Sequence, residues 1–393
     1  MDNAPPVLLH GETISYFRTA RADLTDFPMK GQSVYMDLLM ASATTDLREG
    51  RAETIRELVR EVTDWPRLLR LASFHGVLPL VAKTLALVRF NGSQVDLPPQ
   101  LGQVGRDVAV RNLSLSGEQA RILNALDSHG IPGIAFKGPV LAQMAYRSLG
   151  LRSCGDIDVL IPANKYRETE AVLLREGFQL VGRAGELEGV SRFLYRTLSR
   201  QSTFARGLVA LDLHVGIMPP GYRYDPRFED LMDRAVTVAV GGMNLRTFSP
   251  EDMLLILCFH GVKNRWEVLK HYCDVAELIR SSPGLDWDVV IDRARRTRAT
   301  RILRLGIYMA HKLLDAPLPP GIVRWSMRDA KVEELERQLM TWLVRTHEER
   351  MTPDERFRFH LAVQDSVLTK TRYFMYALAR RVQRSIAWVP DDE

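Results

Sequence analysis

The chain has 393 residues, of which 46% are hydrophobic and 26% are charged, and its formal net charge is +5. This balance is typical of a globular protein of two or three domains and excludes a disordered or fibrous chain. The weak positive charge is compatible with an anionic substrate but does not by itself indicate nucleic acid. The three cysteines are too widely spaced to indicate a disulfide framework or a zinc site.

The sequence also predicts where the protein resides. The N-terminal stretch has no basic region followed by an apolar run, so we read no signal peptide. No apolar run approaches the roughly 18 residues that a membrane-spanning helix needs. The low cysteine content suits a reducing compartment. We therefore expect a cytoplasmic protein without a transmembrane segment.

Residues 1–118 have the pattern of a helical region. Apolar residues recur at helical spacing in "AETIRELVREV" (52–62) and in the segment that starts at Trp65. A turn-rich connection, "NGSQVDLPPQ", separates these segments from a helix predicted over 103–129, which ends before Gly130.

The pattern changes at residue 131, where short apolar runs alternate with helical segments. Strands are predicted over "IPGIAFKG" (131–138), "DIDVLIP" (156–162), "FQLVGR" (178–183), "SRFLYRTLS" (191–199) and "LVALDLHVGI" (208–217). Helices are predicted over 139–150 and 164–178, and "VTVAV" with "LRTFS" predicts a hairpin across "GGMN". The predicted fold class is α+β, with a small mixed sheet over residues 119–248.

Residues 249–393 read as a C-terminal helical domain. It opens at Ser249, a favourable N-cap, followed by Pro250 in the first turn. The last helix, "KTRYFMYALARRVQRSIAW" (370–388), is rich in arginine and aromatic residues. A solvated basic face is the simplest interpretation. An acidic partner, nucleic acid or an anionic membrane surface are alternatives.

Three aspartates in the middle region suggest a metal site. Asp156 and Asp158 are one residue apart, so both project from the same face of a strand. Asp212 lies in a later strand pattern and joins them if the two strands are neighbours. Three carboxylates on adjacent strands suit Mg²⁺, which prefers oxygen ligands. The alternative is that these acids only decorate a solvated surface.

Lys137 and Gly138 lie where the first predicted strand meets a helix. A glycine at this point admits a phosphate close to the backbone, and the helix N-terminus and the lysine ammonium both favour its negative charge. The pair alone is weak evidence. The order of strand, Lys-Gly, helix, acidic pair and later single acid is more specific.

That order resembles the DNA polymerase β-type nucleotidyltransferase superfamily, and more closely a bacterial group of uncharacterised nucleotidyltransferases. The resemblance covers roughly residues 60–300. It is carried by "DWPRLLRLASFHGVLPLV", "FKGPVLAQMAY", "LRSCGDIDVLIP", "LDLHVGI" and "FSPEDMLLILCFHGVKNRWEVLKHYCDVAELI".

The resemblance implies transfer of a nucleoside monophosphate from a nucleoside triphosphate to a hydroxyl acceptor, with release of pyrophosphate. It implies two Mg²⁺ (or Mn²⁺) ions bridged by Asp156 and Asp158, with Asp212 bound to the ion nearer the acceptor. The acceptor cannot be read from the sequence: a small molecule, sugar, peptide, protein or tRNA are all open.

One departure from the superfamily concerns the phosphate-binding turn, where many members have Gly-Ser. Here Pro139 follows Gly138 and offers neither a hydroxyl nor an N–H group. Lys137, Arg152 and Ser153 are therefore the candidates for binding phosphate.

Further residues have both a functional and a packing interpretation. His214 shares the strand face of Asp212 and either contacts the nucleotide or packs beside the site. Lys263, with His260 and Trp266, either lines the cleft or forms a packing face. Asp274 is expected to accept a hydrogen bond between helices rather than to act in catalysis, and His75 to pack between helices.

Two other functions compete with nucleotidyl transfer. One is a glycosyltransferase that uses the Asp-x-Asp pair, but such a fold has a larger sheet and a nucleotide-binding strand near its N-terminus. The other is a non-catalytic adaptor that retains the nucleotidyltransferase fold.

Overall fold

The computed structural model of the chain describes residues 32–88, 97–182, 185, 187, 189–345 and 351–386. Across these ranges, helices accompany a five-stranded mixed sheet and a β-hairpin. This architecture confirms the predicted α+β class.

The region before the sheet is helical, as its apolar spacing predicts. Its helices are α1 (Gln32–Ser42), α2 (Glu49–Arg60), α3 (Trp65–Phe74), α4 (Leu78–Leu87) and α5 (Leu101–Asp127). Helix α5 ends close to the predicted boundary and runs through residue 118, so the proposed division at that point cuts a continuous helix. The predicted helicity of residues 1–31 lies outside the described residues.

The middle region contains both the sheet and the hairpin. Its elements are β1 (Ile134–Phe136), α6 (Gly138–Tyr146), β2 (Ile157–Leu160), α7 (Tyr166–Arg175), β3 (Gln179–Val181), α8 (Gly189–Ser199), β4 (Gln201–Arg206), β5 (Val209–His214), α9 (Phe228–Asp233), β6 (Val236–Val240) and β7 (Met243–Thr247). The strand order is β1-β2-β5-β4-β3. Strands β2 and β5 are parallel, and the other neighbours are antiparallel. The predicted hairpin is confirmed as β6 and β7.

The prediction of a strand over 191–199 is wrong, because this segment lies in α8. Leu194 and Leu198 are four residues apart, a helical spacing that the alternation in the same segment obscures. The antiparallel neighbour of β5 is β4, in which Ser202 and Phe204 are buried between half-buried neighbours. The polar residues of "QSTFAR" hid this strand from a search for apolar runs.

Helices again follow the hairpin. They are α10 (Pro250–Lys263), α11 (Leu269–Ser281), α12 (Trp287–Arg296), α13 (Thr300–Leu314), α14 (Pro320–Ser326), α15 (Ala330–Leu343), α16 (Pro353–Ala362) and α17 (Val367–Ile386). The Ser249 side chain accepts the N–H of Asp252, which confirms the predicted N-cap. In the described part of the chain, none of the helices combines the length and apolar character required to cross a membrane.

The helices before and after the sheet share one hydrophobic core. Leu38 of α1, Leu257 of α10 and Tyr272 of α11 belong to a single buried cluster. The two helical regions therefore pack together, although the sequence predicts them as separate units. The domain boundaries at residues 118 and 248 stay predictions.

The sheet separates this shared core from a second one. Ile157 and Val159 of β2 face the second core, where they meet Leu126 of α5. Leu160 belongs to the shared core. Because side chains alternate along a strand, Asp158 projects from the same face as Leu160, toward the helical regions.

Candidate active site

Two neighbouring strands place Asp158 and Asp212 side by side. Strands β2 and β5 pair in parallel, and their register sets Asp158 opposite Asp212 and Leu160 opposite His214. Residues opposite each other on paired strands project from the same face of the sheet. The fold therefore brings together two of the three predicted acids and His214.

Asp158, Asp212 and His214 form a group with the chemistry of a metal site. Each offers one ligand atom, and these atoms lie within 4.8 Å of one another. Asp158 is 1% and His214 is 4% exposed, whereas Asp212 is half-buried. Carboxylate oxygens suit Mg²⁺ or Mn²⁺, and imidazole favours a transition metal. The donor set thus fits a divalent cation.

Asp156 lies one residue before β2 and is outside that group of three. Its surroundings nevertheless connect it electrostatically to the other acids. Burial raises the pKa of Asp156, and the charge of Asp158 raises it further, whereas Lys137 lowers it. Asp156 is therefore placed beside the group rather than within it.

Strand β4 holds both carboxylate oxygens of Asp212. The Thr203 hydroxyl donates to Oδ1 at 2.7 Å, and the Gln201 side-chain amide donates to Oδ2. Gln201 in turn accepts a hydrogen bond from Nζ of Lys263 at 3.1 Å. A chain of contacts therefore runs from α10 through β4 to Asp212 and fixes the orientation of this carboxylate.

The Lys137 ammonium contacts Asp158. Its Nζ is 2.6 Å from Oδ1 of Asp158, and Nε2 of His214 is 3.0 Å from the same oxygen. Burial alone would raise the pKa of Asp158, but the Lys137 charge and the His214 hydrogen bond outweigh it and hold this pKa well below its usual range. Asp158 is therefore ionised at neutral pH.

His214 is neutral at the same pH. Burial lowers the pKa of His214 more than its contact with Asp158 raises it. The ring also lies edge-on to Phe136, with the ring centroids 4.9 Å apart. Packing and the hydrogen bond together fix the position of the imidazole beside Asp158.

A strained turn brings Lys137 to this position. Lys137 has φ 50° and ψ −140°, a backbone region that side chains other than glycine rarely adopt. Gly138 has φ 42°, and a Cβ atom there would lie 3.2 Å from the carbonyl oxygen of Asp156. Glycine therefore lets the turn lie directly against the start of β2, and the close approach involves protein backbone.

Arg152, predicted to bind phosphate, forms a buried ion pair with Asp274. Its Nε and Nη2 atoms donate to the two carboxylate oxygens of Asp274, at 2.7 and 2.9 Å. The Tyr146 hydroxyl donates to Oδ1 of Asp274 at 2.7 Å. The remaining nitrogen, Nη1, donates to the Gly138 carbonyl at 3.3 Å. This geometry ties the turn to α11, and binding of phosphate by Arg152 stays a prediction. It also confirms Asp274 as an acceptor between elements.

Ser153 lies on the same loop, and its carbonyl oxygen accepts a hydrogen bond from Nζ of Lys270 at 2.7 Å. Burial, followed by repulsion from Arg152, lowers the pKa of Lys270. This lysine thus holds the loop that precedes Asp156. Binding of phosphate by Ser153 stays a prediction.

Lys263, His260 and Trp266 were predicted to line the cleft. Lys263 is linked to Asp212 through Gln201. Burial and the charge of Lys137 lower its pKa, whereas Asp212 opposes that shift. Trp266 is 1% exposed and packs on Tyr272, with ring centroids 4.8 Å apart, so it belongs to the core. His75 is also buried between helices, as expected.

Three residues of this region were not predicted from the sequence: Gln201, Thr203 and Lys270. One signal was available for the first two. Gly207, with φ 56°, sits in the tight turn between β4 and β5. A hairpin that turns at Gly207 places Thr203 opposite Asp212. No comparable local signal marks Lys270, because its contact with Ser153 joins distant parts of the chain.

Comparison with known families identifies the class of protein to which the chain belongs. The model of a family described as uncharacterised nucleotidyltransferase matches residues 61–315, more than half of the chain. The protein belongs to this family and is a nucleotidyltransferase, which confirms the resemblance carried by its motifs. The glycosyltransferase alternative is set aside.

Solved structures and curated sequences add little. The solution structure of the antibiotic-resistance factor ANT(2'')-Ia is 16% identical, over 48% of this chain and 92% of that chain, with a TM-score of 0.33. A crystal structure of ANT(2'')-Ia in complex with adenylyl-2''-tobramycin is 16% identical, over 59% and 98% of the two chains, with a TM-score of 0.26. No curated protein matches the chain significantly. The assignment therefore rests on the family match.

Gln201→Ala should slow nucleotidyl transfer by about 10- to 100-fold, because losing one hydrogen bond to a charged group costs roughly 1.5–3 kcal/mol. The substitution removes a donor to Asp212 and its link to Lys263, and leaves Thr203 in place. Single-turnover rates at saturating nucleotide measure the effect. Gln179→Ala, on the exposed start of β3, is the matched control. Equal rates for the two variants would show that Gln201 does not position Asp212.

Proposed function

We propose that the protein transfers a nucleoside monophosphate from a nucleoside triphosphate, such as ATP, to a hydroxyl acceptor and releases pyrophosphate. The observation that carries the proposal is the placement of Asp158 directly opposite Asp212 on parallel strands, with the Lys137 ammonium 2.6 Å from Asp158. This arrangement combines ligands for a cation with a positive charge for phosphate in one buried cluster.

Asp156, Asp158 and Asp212 would hold Mg²⁺ or Mn²⁺, as one ion or two, and His214 is a further candidate ligand. A divalent cation bound there would neutralise phosphate charge and lower the pKa of the acceptor hydroxyl. The acceptor oxygen then forms a bond to the α-phosphorus while the bond to the bridging oxygen of the β-phosphate breaks. Pyrophosphate leaves with that electron pair.

Asp212 is the carboxylate best placed to receive the hydroxyl proton. It is the most accessible member of the group of three, since Asp158 and His214 are almost fully buried. Thr203 and Gln201 hold its two oxygens in place, so it can act without reorienting. The protein's main contribution is to position the reactants and to neutralise charge.

Lys137 acts as an internal cation in this scheme. In the structure it neutralises Asp158, and a triphosphate offers its ammonium group an alternative anion. Lys263, connected to Asp212 through Gln201, adds a second positive charge at the same place. The triphosphate and the divalent cation should therefore enter the site together, because the phosphate draws Lys137 away from the carboxylate that the cation needs.

Lys137→Met should change the affinities for metal and for nucleotide in opposite directions. Without the ammonium, Asp158 keeps an uncompensated charge, so Mn²⁺ alone should bind more tightly than in the parent. Triphosphate binding should weaken by about 10- to 100-fold, the loss of one charge-assisted hydrogen bond. Electron paramagnetic resonance of free Mn²⁺ and calorimetric titration with a non-hydrolysable ATP analogue measure the two affinities.

The half-buried Lys165, which lies in the connection to α7 and pairs with Glu168 of that helix, gives the matched control. Lys165→Met should leave both affinities unchanged. If Lys137→Met binds nucleotide as tightly as the parent, Lys137 does not bind phosphate.

A direct experiment would identify the acceptor and separate the enzyme from the adaptor. The purified protein is incubated with Mg²⁺, cell extract and each of the four nucleoside triphosphates labelled in the α-phosphate. We expect one class of acceptor to become labelled in the parent and not in Asp212→Asn. Nucleotide binding without any labelled product would favour the non-catalytic adaptor.

A further inference from the structure

The last described helix, α17, presents an apolar face that nothing else in the described part of the chain covers. Its six exposed large hydrophobic side chains have relative exposures from 47% to 79%; they are Val367, Leu368, Phe374, Met375, Leu378 and Val382. At 100° per residue these six span an arc of about 120°, so they lie on one side of the helix. We call this side the outer face.

The rest of the α17 surface fixes the helix to the protein. Tyr373 packs against Tyr222, with ring centroids 5.6 Å apart. The Arg372 guanidinium donates to the Pro220 carbonyl at 2.6 Å, and a Cβ atom on Gly221 would lie 2.7 Å from the Tyr376 ring. These contacts are to the segment that follows β5. The outer face is thus held in a fixed orientation on the unit that carries the candidate active site.

All the charged residues of α17 are basic. Its sequence contains two lysines or arginines in the first third and three in the last third, and no aspartate or glutamate. On the helical wheel Lys370 and Arg381 border the outer face on one side and Arg372 borders it on the other. All three are exposed. The apolar face is therefore framed by basic residues.

We propose that the outer face of α17 docks on an anionic lipid bilayer surface, with the helix lying in the plane of the interface. A basic, amphipathic helix of this kind inserts its apolar face at the headgroup boundary while its cations meet anionic lipids. The charge complementarity decides between possible occupants. A second copy of α17 would bring two acid-free basic helices together, and their like charges would repel.

Helix α8 extends the apolar character of this region. It contacts α17, and its Phe193 and Leu194 are exposed by 58% and 37%. The Arg380 guanidinium of α17 lies over the Tyr195 ring of α8, 5.6 Å from its centroid. Helix α8 therefore adds exposed apolar side chains next to α17, on the side of α17 that carries Arg380.

Vesicle binding of the full chain tests the proposal. The protein is sedimented with vesicles of phosphatidylcholine alone and of phosphatidylcholine mixed with phosphatidylglycerol. We expect binding to the mixed vesicles, weakened by salt, and little binding to neutral ones. Phe374→Ser with Leu378→Ser should lower the affinity by about tenfold or more, because two exposed apolar anchors are lost. Lys370→Gln should weaken binding to the mixed vesicles only.

The matched control is Leu174→Ser with Leu208→Ser, which removes two exposed leucines from α7 and from the β4–β5 turn. This variant should bind vesicles as the parent does. A Phe374→Trp variant gives a readout that does not depend on sedimentation, since brominated lipids should quench its fluorescence and not that of Leu208→Trp.

Three results would overturn the proposal. They are equal binding to neutral and anionic vesicles, unchanged binding by the Phe374 and Leu378 double variant, and a parent dimer in solution that this variant converts to monomer. The last result would assign the outer face to a second copy of the chain. Circular dichroism melting of each variant shows that lost binding is not lost folding.

Discussion

Asp158→Asn should abolish the extra stabilisation that the protein gains when a divalent cation and a nucleoside triphosphate bind together. Mg²⁺ alone should bind weakly, because it retains water and usually completes its ligands with phosphate oxygens. A ligand that binds only the folded state at a hundredfold excess over its Kd adds about 2.7 kcal/mol to the free energy of unfolding. In the parent, the joint shift in Tm should exceed the sum of the two separate shifts.

The physical reason lies in the partners of Asp158. Asparagine has nearly the same size but no charge, so the variant cannot attract a cation to the site. It also leaves the Lys137 ammonium without its carboxylate, which favours triphosphate binding in the absence of metal. The joint excess should therefore vanish in Asp158→Asn while nucleotide alone still stabilises the protein. Labelling of the acceptor should fall about a thousandfold, since metal chemistry contributes several kcal/mol to such a reaction.

Asp127→Asn, at the exposed end of α5, provides the matched control and should keep the full joint shift. Thermal melts of the three proteins with metal, with nucleotide and with both give the result. Purely additive shifts in the parent for every nucleoside triphosphate would place the non-catalytic adaptor ahead of the enzyme.

The sequence predicted the parts of this site that strand alternation controls. Alternation alone placed Asp156 and Asp158 on one face of a strand, and the fold then set Asp212 opposite Asp158. Alternation could not predict that Asp156 lies outside the group of Asp158, Asp212 and His214. The position of Asp156 depends on where the pairing of β2 begins. The sequence pattern also predicted that Lys137 binds phosphate. In the structure Lys137 pairs with Asp158, and this pairing depends on the strained turn.

The helical regions were predicted from apolar spacing, but their association was not. Spacing shows which face of a helix is apolar, and it does not say which other element covers that face. The shared core of the helices before and after the sheet is a long-range result of the fold. The role of Arg152 has the same origin, since its partner Asp274 is 122 residues further along the chain.

That buried pair leads to the second large effect. Asp274→Asn should lower the free energy of unfolding by about 3–5 kcal/mol, because it leaves the Arg152 guanidinium buried without a carboxylate. Both side chains are almost fully buried, with 5% and 1% exposed. Unfolding in urea at neutral pH measures the loss. Asp292→Asn, in an exposed pair with Arg296, should change stability by less than about 1 kcal/mol.

The difference between Asp274→Asn and the parent should depend on pH in a defined direction. Burial would raise the pKa of Asp274, but the Arg152 charge and its hydrogen bonds outweigh burial and lower this pKa from its usual value near 3.8. A carboxylate with a lowered pKa stabilises the folded state above its unfolded pKa and loses that contribution as the pH falls toward the folded pKa. The two proteins should therefore converge in stability below about pH 4.

A double variant separates loss of the pair from loss of packing. Arg152→Met combined with Asp274→Leu removes both charges and should recover much of the stability, because the cost of the single change is the unpaired charge. The turn at Gly138 would still lose its hydrogen bond from Arg152, so nucleotide binding should be weaker than in the parent even where stability returns. If Asp274→Asn is as stable as Asp292→Asn at neutral pH, the pair does not anchor the loop that leads into Asp156.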